Sequence, residues 1–377
     1  MRNFLVSTLK ALIKALYRLF GVFSRRNEVL FVSRQSNDIP YDFNALSTRF
    51  HELGFSSVFL IKKLSASTFI SYAWYSFRKI YHLARCKVCI LDGYDPVVSM
   101  IDFKYEETSS EQDRLHFEFP IEPIIVQIWH ALGAYKRFGF QSLGTAEGRS
   151  RESAQRLSMH RNYSWILCTG ESSRFAFAEA FSYPIERVRP LGRPEVDLLR
   201  NISRIERPAG ECCFLFAPTL RRSDDSAHPF RELSFLQNDL FHDIDAEFIW
   251  SFHPVEEQTD MNGVNDLLMD CDYVITDYSS IAYEAYLLGK GVVFYVSDIE
   301  QYSQSPGLNI DPTIVSPRIS FKDPYKLSAY LKQLSQDPSV YCEDDLMSFV
   351  QDTFSSLAHE DVTGSITDFI IGKLGHS

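Results

Sequence analysis

Tyr273-Val-Ile-Thr-Asp-Tyr-Ser-Ser280, continued by Ile281-Ala-Tyr-Glu-Ala-Tyr-Leu-Leu-Gly-Lys290 and Gly291-Val-Val-Phe-Tyr-Val296, reads as strand, turn, helix and strand. The apolar run ends in Thr276 and Asp277, turns through Tyr278 and opens a helix on a Ser pair. Main-chain N–H groups at such a junction can hold a phosphate. A second apolar run follows the helix at once, which is the unit from which parallel sheets are built.

The same alternation extends in both directions. Toward the N-terminus the sequence predicts strands at 29–33, 57–61, 87–91, 123–129, 165–169 and 187–191, with helices at 42–53, 67–84 and 172–181 between them. Residues 193–210 carry two prolines and little apolar periodicity and read as a linker. Strands at 212–216, 247–252, 273–276 and 292–296 then alternate with helices near 230–242, 261–269 and 280–288, and the tail beyond Asp323 reads as helical. The expected fold is α/β: two Rossmann-like, doubly wound domains facing each other across a cleft, at 27–205 and 206–377, preceded by a separate helix at 1–26. No GxGxxG is present, so a dinucleotide-binding reading lacks its fingerprint.

Composition narrows the function. Apolar residues at 45% and charged residues at 23% are ordinary for a folded chain of 377 residues. The net charge of −11 is uneven: residues 1–26 carry +6, and the remainder carries −17 from 32 Lys and Arg against 49 Asp and Glu. Such an acidic body argues against nucleic-acid binding, which needs broad positive surface. Seven cysteines, two of them adjacent at Cys212 and Cys213, do not form a disulfide framework. Cys86 and Cys89 have CxxC spacing but fall on an expected buried strand, and no second CxxC completes a zinc site.

In the first helix, Leu5, Leu9, Leu12, Ile13, Leu16, Leu19, Phe20 and Phe23 form one apolar stripe. Lys10, Lys14, Arg18 and Arg25 fall on the opposite side, with Arg26 beyond them. The apolar runs are too short to cross a bilayer. The pattern fits a helix lying on an anionic membrane surface, which would make the protein peripheral at the cytoplasmic face of the cell membrane; a helix packed on its own domain is the other reading.

In doubly wound sheets ligands collect at the carboxyl ends of strands. Four strands deliver polar residues there: 123–129 ends at His130, 212–216 runs into Thr219 and Arg221, 247–252 ends at His253, and 273–276 ends at Asp277. Arg221 can grip phosphate oxygens bidentately, and His253 can neutralise a leaving phosphate. Thr276, Asp277, Ser279 and Ser280 line the turn, with Glu284 one helical turn later where a ribose could lie. His130 enters a Gly-containing basic loop with Trp129, Gly133 and Lys136, suited to presenting a general base to an acceptor hydroxyl. Two DxD triplets, Asp243-Ile-Asp245 and Asp270-Cys-Asp272, precede their strands and so belong at the opposite edge; no metal is required by this reading.

The Trp129-His130 loop, Ala217-Pro-Thr219 to Arg221, Phe252-His-Pro254 and Ile275-Thr-Asp-Tyr-Ser-Ser280, in this order and spacing, resemble the CDP-glycerol glycerophosphotransferase family of teichoic acid synthesis. The similarity extends to Leu191-Gly-Arg-Pro194 with Asp197 and to Ser305-Pro-Gly307, covering about residues 120–310. The resemblance implies a GT-B fold, a CDP-glycerol donor, a prenyl-diphosphate-linked saccharide acceptor and no cofactor. It places His130 as the catalytic base, and His253, Thr276, Asp277, Ser279 and Ser280 around the donor diphosphate. Asp277 could order the donor loop, assist the base or touch the acceptor.

Polymerases of that family usually read Trp-His-Gly-Thr-Pro after the corresponding strand, whereas Trp129-His-Ala-Leu-Gly-Ala134 looks more like the primase branch. Gly192-Arg-Pro-Glu195 also departs from the usual Gly-Asn-Pro-Arg. The expected activity is transfer of glycerol phosphate from CDP-glycerol to a prenyl-diphosphate-linked disaccharide with release of CMP. A polyol-phosphate polymerase or CDP-ribitol transferase, a GT-B glycosyltransferase using a nucleotide sugar, and a non-catalytic membrane scaffold are the rivals.

Overall fold

The computed structural model describes residues 2–63, 69–109, 116–145, 147–202, 211–219, 228–252, 261–354, 357 and 361–374. It divides into two units. The first comprises residues 1–131, 150–197 and 356–377, and the second comprises 132–149 and 198–355.

The first unit holds strands β1 (Glu28–Ser33), β2 (Ser56–Ile61), β3 (Val88–Leu91), β4 (Lys104–Ser109), β5 (His116–Glu122), β6 (Ile124–Gln127), β7 (Trp165–Leu167) and β8 (Val188–Arg189). Six of them form a parallel sheet in the order β2-β1-β3-β6-β7-β8, and β4 and β5 pair separately as an antiparallel ribbon that the sequence reading did not anticipate. Strands β1, β3 and β6 are buried along their whole length, which explains why they read as continuous apolar runs without alternation.

The second unit holds β9 (Cys213–Phe216), β10 (Glu247–Trp250), β11 (Tyr273–Thr276), β12 (Gly291–Tyr295) and β13 (Ser320–Phe321), all parallel, in the order β10-β9-β11-β12-β13. Its core joins Phe214, Phe216, Phe230, Ile275, Leu327 and Leu331. Each sheet starts at one strand, steps outward once and returns to grow on the other side. The chain order therefore reverses at β1/β3 in the first unit and at β9/β11 in the second, and the carboxyl ends of those pairs are the expected ligand edges.

Besides a boundary at 197/198 in place of 205/206, the units differ from the expected 27–205 and 206–377 in two segments. The C-terminal helix Val362–Leu374 joins the first unit because the Asp197 carboxylate caps it, accepting the Val362 and Thr363 N–H groups at 3.1 and 2.8 Å. Phe369 then packs edge-on to Trp165. Residues 132–149 join the second unit, anchored by the buried Tyr135. The expected linker at 193–210 also contains a helix, Glu195–Asn201.

Helices α1 (Arg2–Phe20), α2 (Tyr41–Glu52) and α3 (Phe69–Leu83) all belong to the first unit, so 1–26 is no separate domain. The Phe20 ring stands edge-on to Phe77 and Tyr81 of α3. Three of the five basic residues expected to face a membrane turn onto the unit instead. Lys14 pairs with Asp102 at 2.6 Å, Lys10 donates to the Ser158 hydroxyl, and Arg25 donates to the carbonyls of Cys86 and Glu122. Arg18 and Arg26 are exposed. The apolar stripe divides: Ile13 is buried, while Leu9, Leu12, Leu19 and Phe23 are exposed.

Candidate active site

In the first unit the residues at the sheet edge hold one another. β6 ends at Gln127, short of the expected 129, because its fully buried side chain closes the strand. Its amide nitrogen donates to the Gly93 carbonyl at 3.0 Å, and its oxygen accepts the Trp129 N–H at 2.9 Å. Trp129 then takes a left-handed conformation, φ +59°, which is unfavourable for a bulky residue and turns the chain out of the sheet. The His130 ring lies on the Trp129 indole with centroids 4.1 Å apart.

His130 Nδ1 sits 3.0 Å from the main-chain oxygen of Asp92, which follows β3. A carbonyl oxygen only accepts, so Nδ1 carries the proton and Nε2 has the basic lone pair. Gln35 Nε2 lies 3.3 Å from the same nitrogen; two donors cannot pair, so with the Nδ1 proton given to Asp92 the Gln35 amide must turn its oxygen to the ring to bond there. This is the arrangement a general base needs: one nitrogen fixed by an acceptor, the other basic.

The Asp92 side chain is 5% exposed, and among the described residues its Oδ1 has no hydrogen-bond partner. Burial pushes this carboxyl up to about 7, against the opposing pull of the Ser33 hydroxyl and Arg193. Arg193 is itself held. Its Nε donates to Asp42 of α2 at 3.0 Å, its Nη1 faces Glu195, and Asp42 also accepts the Glu195 N–H. The Gly192-Arg-Pro-Glu195 variation thus builds a buried ionic anchor between the loop after β8 and the first turn of α2.

In the second unit β9 and β11 are stitched together beyond their ends. The Thr276 hydroxyl donates to the Ala217 carbonyl at 2.7 Å, and Asp277 Oδ1 accepts the Thr219 N–H at 2.7 Å. Asp277 is 1% exposed. His228 donates from Nε2 to the Thr219 carbonyl at 2.9 Å while its Nδ1 accepts the Phe230 N–H, a pairing that fixes its tautomer. The Thr219 hydroxyl is left inside this frame, 4% exposed and without a partner among the described residues. A buried orphan hydroxyl at a ligand edge points to a group supplied from outside.

The turn beyond Asp277 is aromatic and firm. Tyr278 is fully buried, stacks on Tyr302 with centroids 3.8 Å apart, and donates to Asp298 at 3.0 Å. Ser279 and Ser280 are partly exposed, and helix Ile281–Leu287 follows with Ser280 as its N-cap but no side-chain capping bond. Glu284 is half-buried on that helix.

The structure brings Thr219, Thr276 and Asp277 together in the second unit, and Trp129 and His130 in the first. Gly133 and Lys136, expected beside the acceptor with His130, belong to the second unit: Lys136 bridges to Leu308, and Gly133 abuts Tyr283. Arg221 and His253 lie outside the described residues. The DxD triplets are at the amino edge, where Asp272 accepts the Cys213 N–H that opens β9 and Asp243 pairs with Lys332. Cys86 and Cys89 are buried, and burial pushes both thiols up. Asp92, Gln127, Tyr135 and His228 were missed by the sequence reading. Asp92 alone left a signal there, as a carboxylate followed by glycine at a strand's carboxyl end.

The profile of the family described as CDP-Glycerol:Poly(glycerophosphate) glycerophosphotransferase matches residues 15–372. A teichoic acid poly(ribitol-phosphate) polymerase of Bacillus spizizenii is 28% identical over 76% of this chain, and the match spans 47% of that longer protein. A teichoic acid ribitol-phosphate primase of the same organism is 26% identical over 80% of this chain and 82% of its own length. Among solved structures, the wall teichoic acid polymerase TagF superposes with a TM-score of 0.63 over 100% of this chain and 98% of that one, at 14% identity. That likeness shows the fold, which is of GT-B type.

Proposed function

Because the chain belongs to the CDP-glycerol:poly(glycerophosphate) glycerophosphotransferase family, we propose that it moves glycerol phosphate from CDP-glycerol onto a hydroxyl of a prenyl-diphosphate-linked disaccharide, in the manner of a teichoic acid primase. The acceptor oxygen attacks the glycerol-bearing phosphorus in line, and the bond from that phosphorus to the bridging oxygen breaks. CMP leaves with the bridging oxygen, and the acceptor proton passes to His130 Nε2. The observation that carries this reading is the His130 pose, with Nδ1 fixed on the Asp92 carbonyl at 3.0 Å beside a left-handed Trp129.

On the donor side the Thr219 hydroxyl, Ser279 and Ser280 receive the diphosphate, with Arg221 and His253 taking the charge that builds on the leaving group. Of the three roles open to Asp277, ordering the donor loop agrees with its geometry, since its buried carboxylate already holds the Thr219 N–H.

The relatives described above are ribitol-phosphate enzymes, so CDP-ribitol is the rival donor. Release of CMP from CDP-glycerol, from CDP-ribitol and from neither, with a synthetic prenyl-diphosphate disaccharide as acceptor, separates the outcomes. Mass spectrometry of the product separates single addition from polymerisation. No CMP from either donor would overturn the assignment.

Peripheral seating at the cytoplasmic face of the membrane completes the proposal, through the part of the predicted apolar stripe that is exposed, extended by α3. Leu9, Leu12 and Leu19 of α1, Val22 and Phe23 just after it, and Trp74 and Phe77 of α3 are exposed. The exposed Arg18, Arg26 and Arg78 complement anionic headgroups. Among the described residues no helix is long and apolar enough to cross a membrane.

A further inference from the structure

The stretch that begins just after His130 and Ala131 belongs to the second unit, and Tyr135 is its anchor. The Tyr135 ring is buried at 3% exposure, edge-on to Phe349, Phe294 and Tyr278 with centroids 4.8, 6.0 and 6.2 Å away. Its hydroxyl donates to the main-chain oxygen of Asp277 at 2.8 Å. Burial pushes the phenol well up, so it remains a donor throughout the physiological range.

The main chain around Tyr135 ties a second loop to the same place. Its own oxygen accepts the Asn309 N–H at 2.9 Å, Arg137 N–H donates to the Gly307 oxygen at 3.0 Å, and the Asn309 amide donates to the Lys136 oxygen. One stretch therefore pins both the 277–280 turn and the 307–309 loop. Asp277 stands between two bonds: its carbonyl accepts from Tyr135, and its carboxylate accepts from Thr219. A displacement of Asp277 must move Thr219 with it.

We propose that Tyr135 is a positioning residue for the donor diphosphate, acting through Asp277 to set where Thr219 and the turn ahead of Ser279 meet the phosphates. This rests on the donor assignment made above. It gives the stretch after His130 a second task, since the segment that leaves the base at one end fixes the donor turn at the other.

Two variants of the full chain test it. Tyr135→Phe removes only the hydroxyl; Phe349→Leu thins the ring cluster and leaves the hydroxyl bond. The readouts are the dissociation constant for CDP-glycerol by calorimetry, kcat and KM for CMP release, and the melting temperature without ligand. Tyr135→Phe should weaken donor binding about fivefold to tenfold, the worth of a misplaced hydrogen bond, and lower kcat while leaving the acceptor KM unchanged. Phe349→Leu should lower the melting temperature more, with donor affinity within about twofold of wild type. If wild type binds the donor and Tyr135→Phe matches it, this inference fails alone. It fails also if Phe349→Leu weakens the donor as much as Tyr135→Phe does. A wild-type protein that binds no CDP-polyol overturns the donor reading and this inference together.

Discussion

His130 Nδ1 lies 3.0 Å from the carbonyl oxygen of Asp92, so the imidazole is held by its proton-bearing nitrogen and Nε2 is left as the candidate base. His130→Ala should lower kcat for CMP release by about 10²-fold to 10⁴-fold, the usual worth of a positioned base. Donor affinity should stay within about twofold, because the residues proposed to receive the donor belong to the second unit. Single-turnover CMP release alongside calorimetry checks both. Near-normal turnover would remove His130 from the mechanism.

The Asp92 side chain gives the first unit a pH-dependent stability of defined sign. Its surroundings are Ser33 on β1, Asp42 on α2, Arg193 and Glu195 after β8, and His130 after β6. Burial raises the carboxyl from 3.8 to about 7, so across that window the folded chain binds more protons than the unfolded one. Stability therefore falls as pH rises through the window, by at most about 1.4 kcal/mol per pH unit, and levels off above it. Asp92→Asn keeps the shape and the carbonyl but cannot ionise. Its stability in urea titrations should exceed wild type at pH 8 and converge toward it at pH 5; a constant difference across the series would contradict the assignment.

Thr219→Val tests the orphan hydroxyl. In the ligand-free protein Thr219 Oγ1 has no partner among the described residues, so replacing it by a methyl of the same shape should leave the melting temperature unchanged or slightly raised. With CDP-glycerol bound, the lost hydrogen bond should cost about 1 kcal/mol, or roughly fivefold in affinity. Stability loss without an affinity change would mean that the hydroxyl serves the fold.

Gly133 has φ +64°, and a Cβ there would stand 2.3 Å from Cζ of the fully buried Tyr283. Gly133→Ala meets both the left-handed penalty and an overpacked contact, together about 3 kcal/mol. Differential scanning calorimetry should show the second unit melting several degrees lower. An unchanged melting profile would mean that the 132–149 stretch is not built into that unit.

Much of this was legible in the sequence because a strand buried on both faces is a short apolar run, and β1, β3, β9, β11 and β12 are such runs. The β4–β5 ribbon was missed since Glu106, Glu107, Thr108 and Ser109 carry no apolar alternation. Neither the apolar face of Val362–Leu374 nor the aromatic ring of Tyr135 names its partner: pattern predicts that a residue is buried, not against which sheet. His130 and Asp277 could be singled out as candidates because they sit at strand ends that sequence can place. Gln127, His228 and Asp92 were not singled out, since a polar side chain becomes buried only through tertiary contacts.

At the N-terminus three of the five basic residues expected to face a membrane are taken up by the chain itself. Lys14 lies 2.6 Å from Asp102, and Lys10 donates to Ser158, so neither is directed at a lipid surface. What α1 and α3 expose is apolar: Leu12 at 54%, Leu19 at 60% and Trp74 at 62%. Burying such side chains among acyl chains supplies most of the binding free energy of an interfacial helix, with exposed arginines adding attraction to anionic headgroups. Leu12→Glu and Trp74→Glu should each reduce sedimentation with anionic vesicles about tenfold, because each removes apolar burial and adds repulsion. Lys14→Ala should cost little stability, because Asp102 keeps Arg161 at 3.4 Å, and should leave sedimentation nearly unchanged. If Lys14→Ala abolishes vesicle binding while Trp74→Glu does not, the basic flank is the membrane surface and the apolar face has another use.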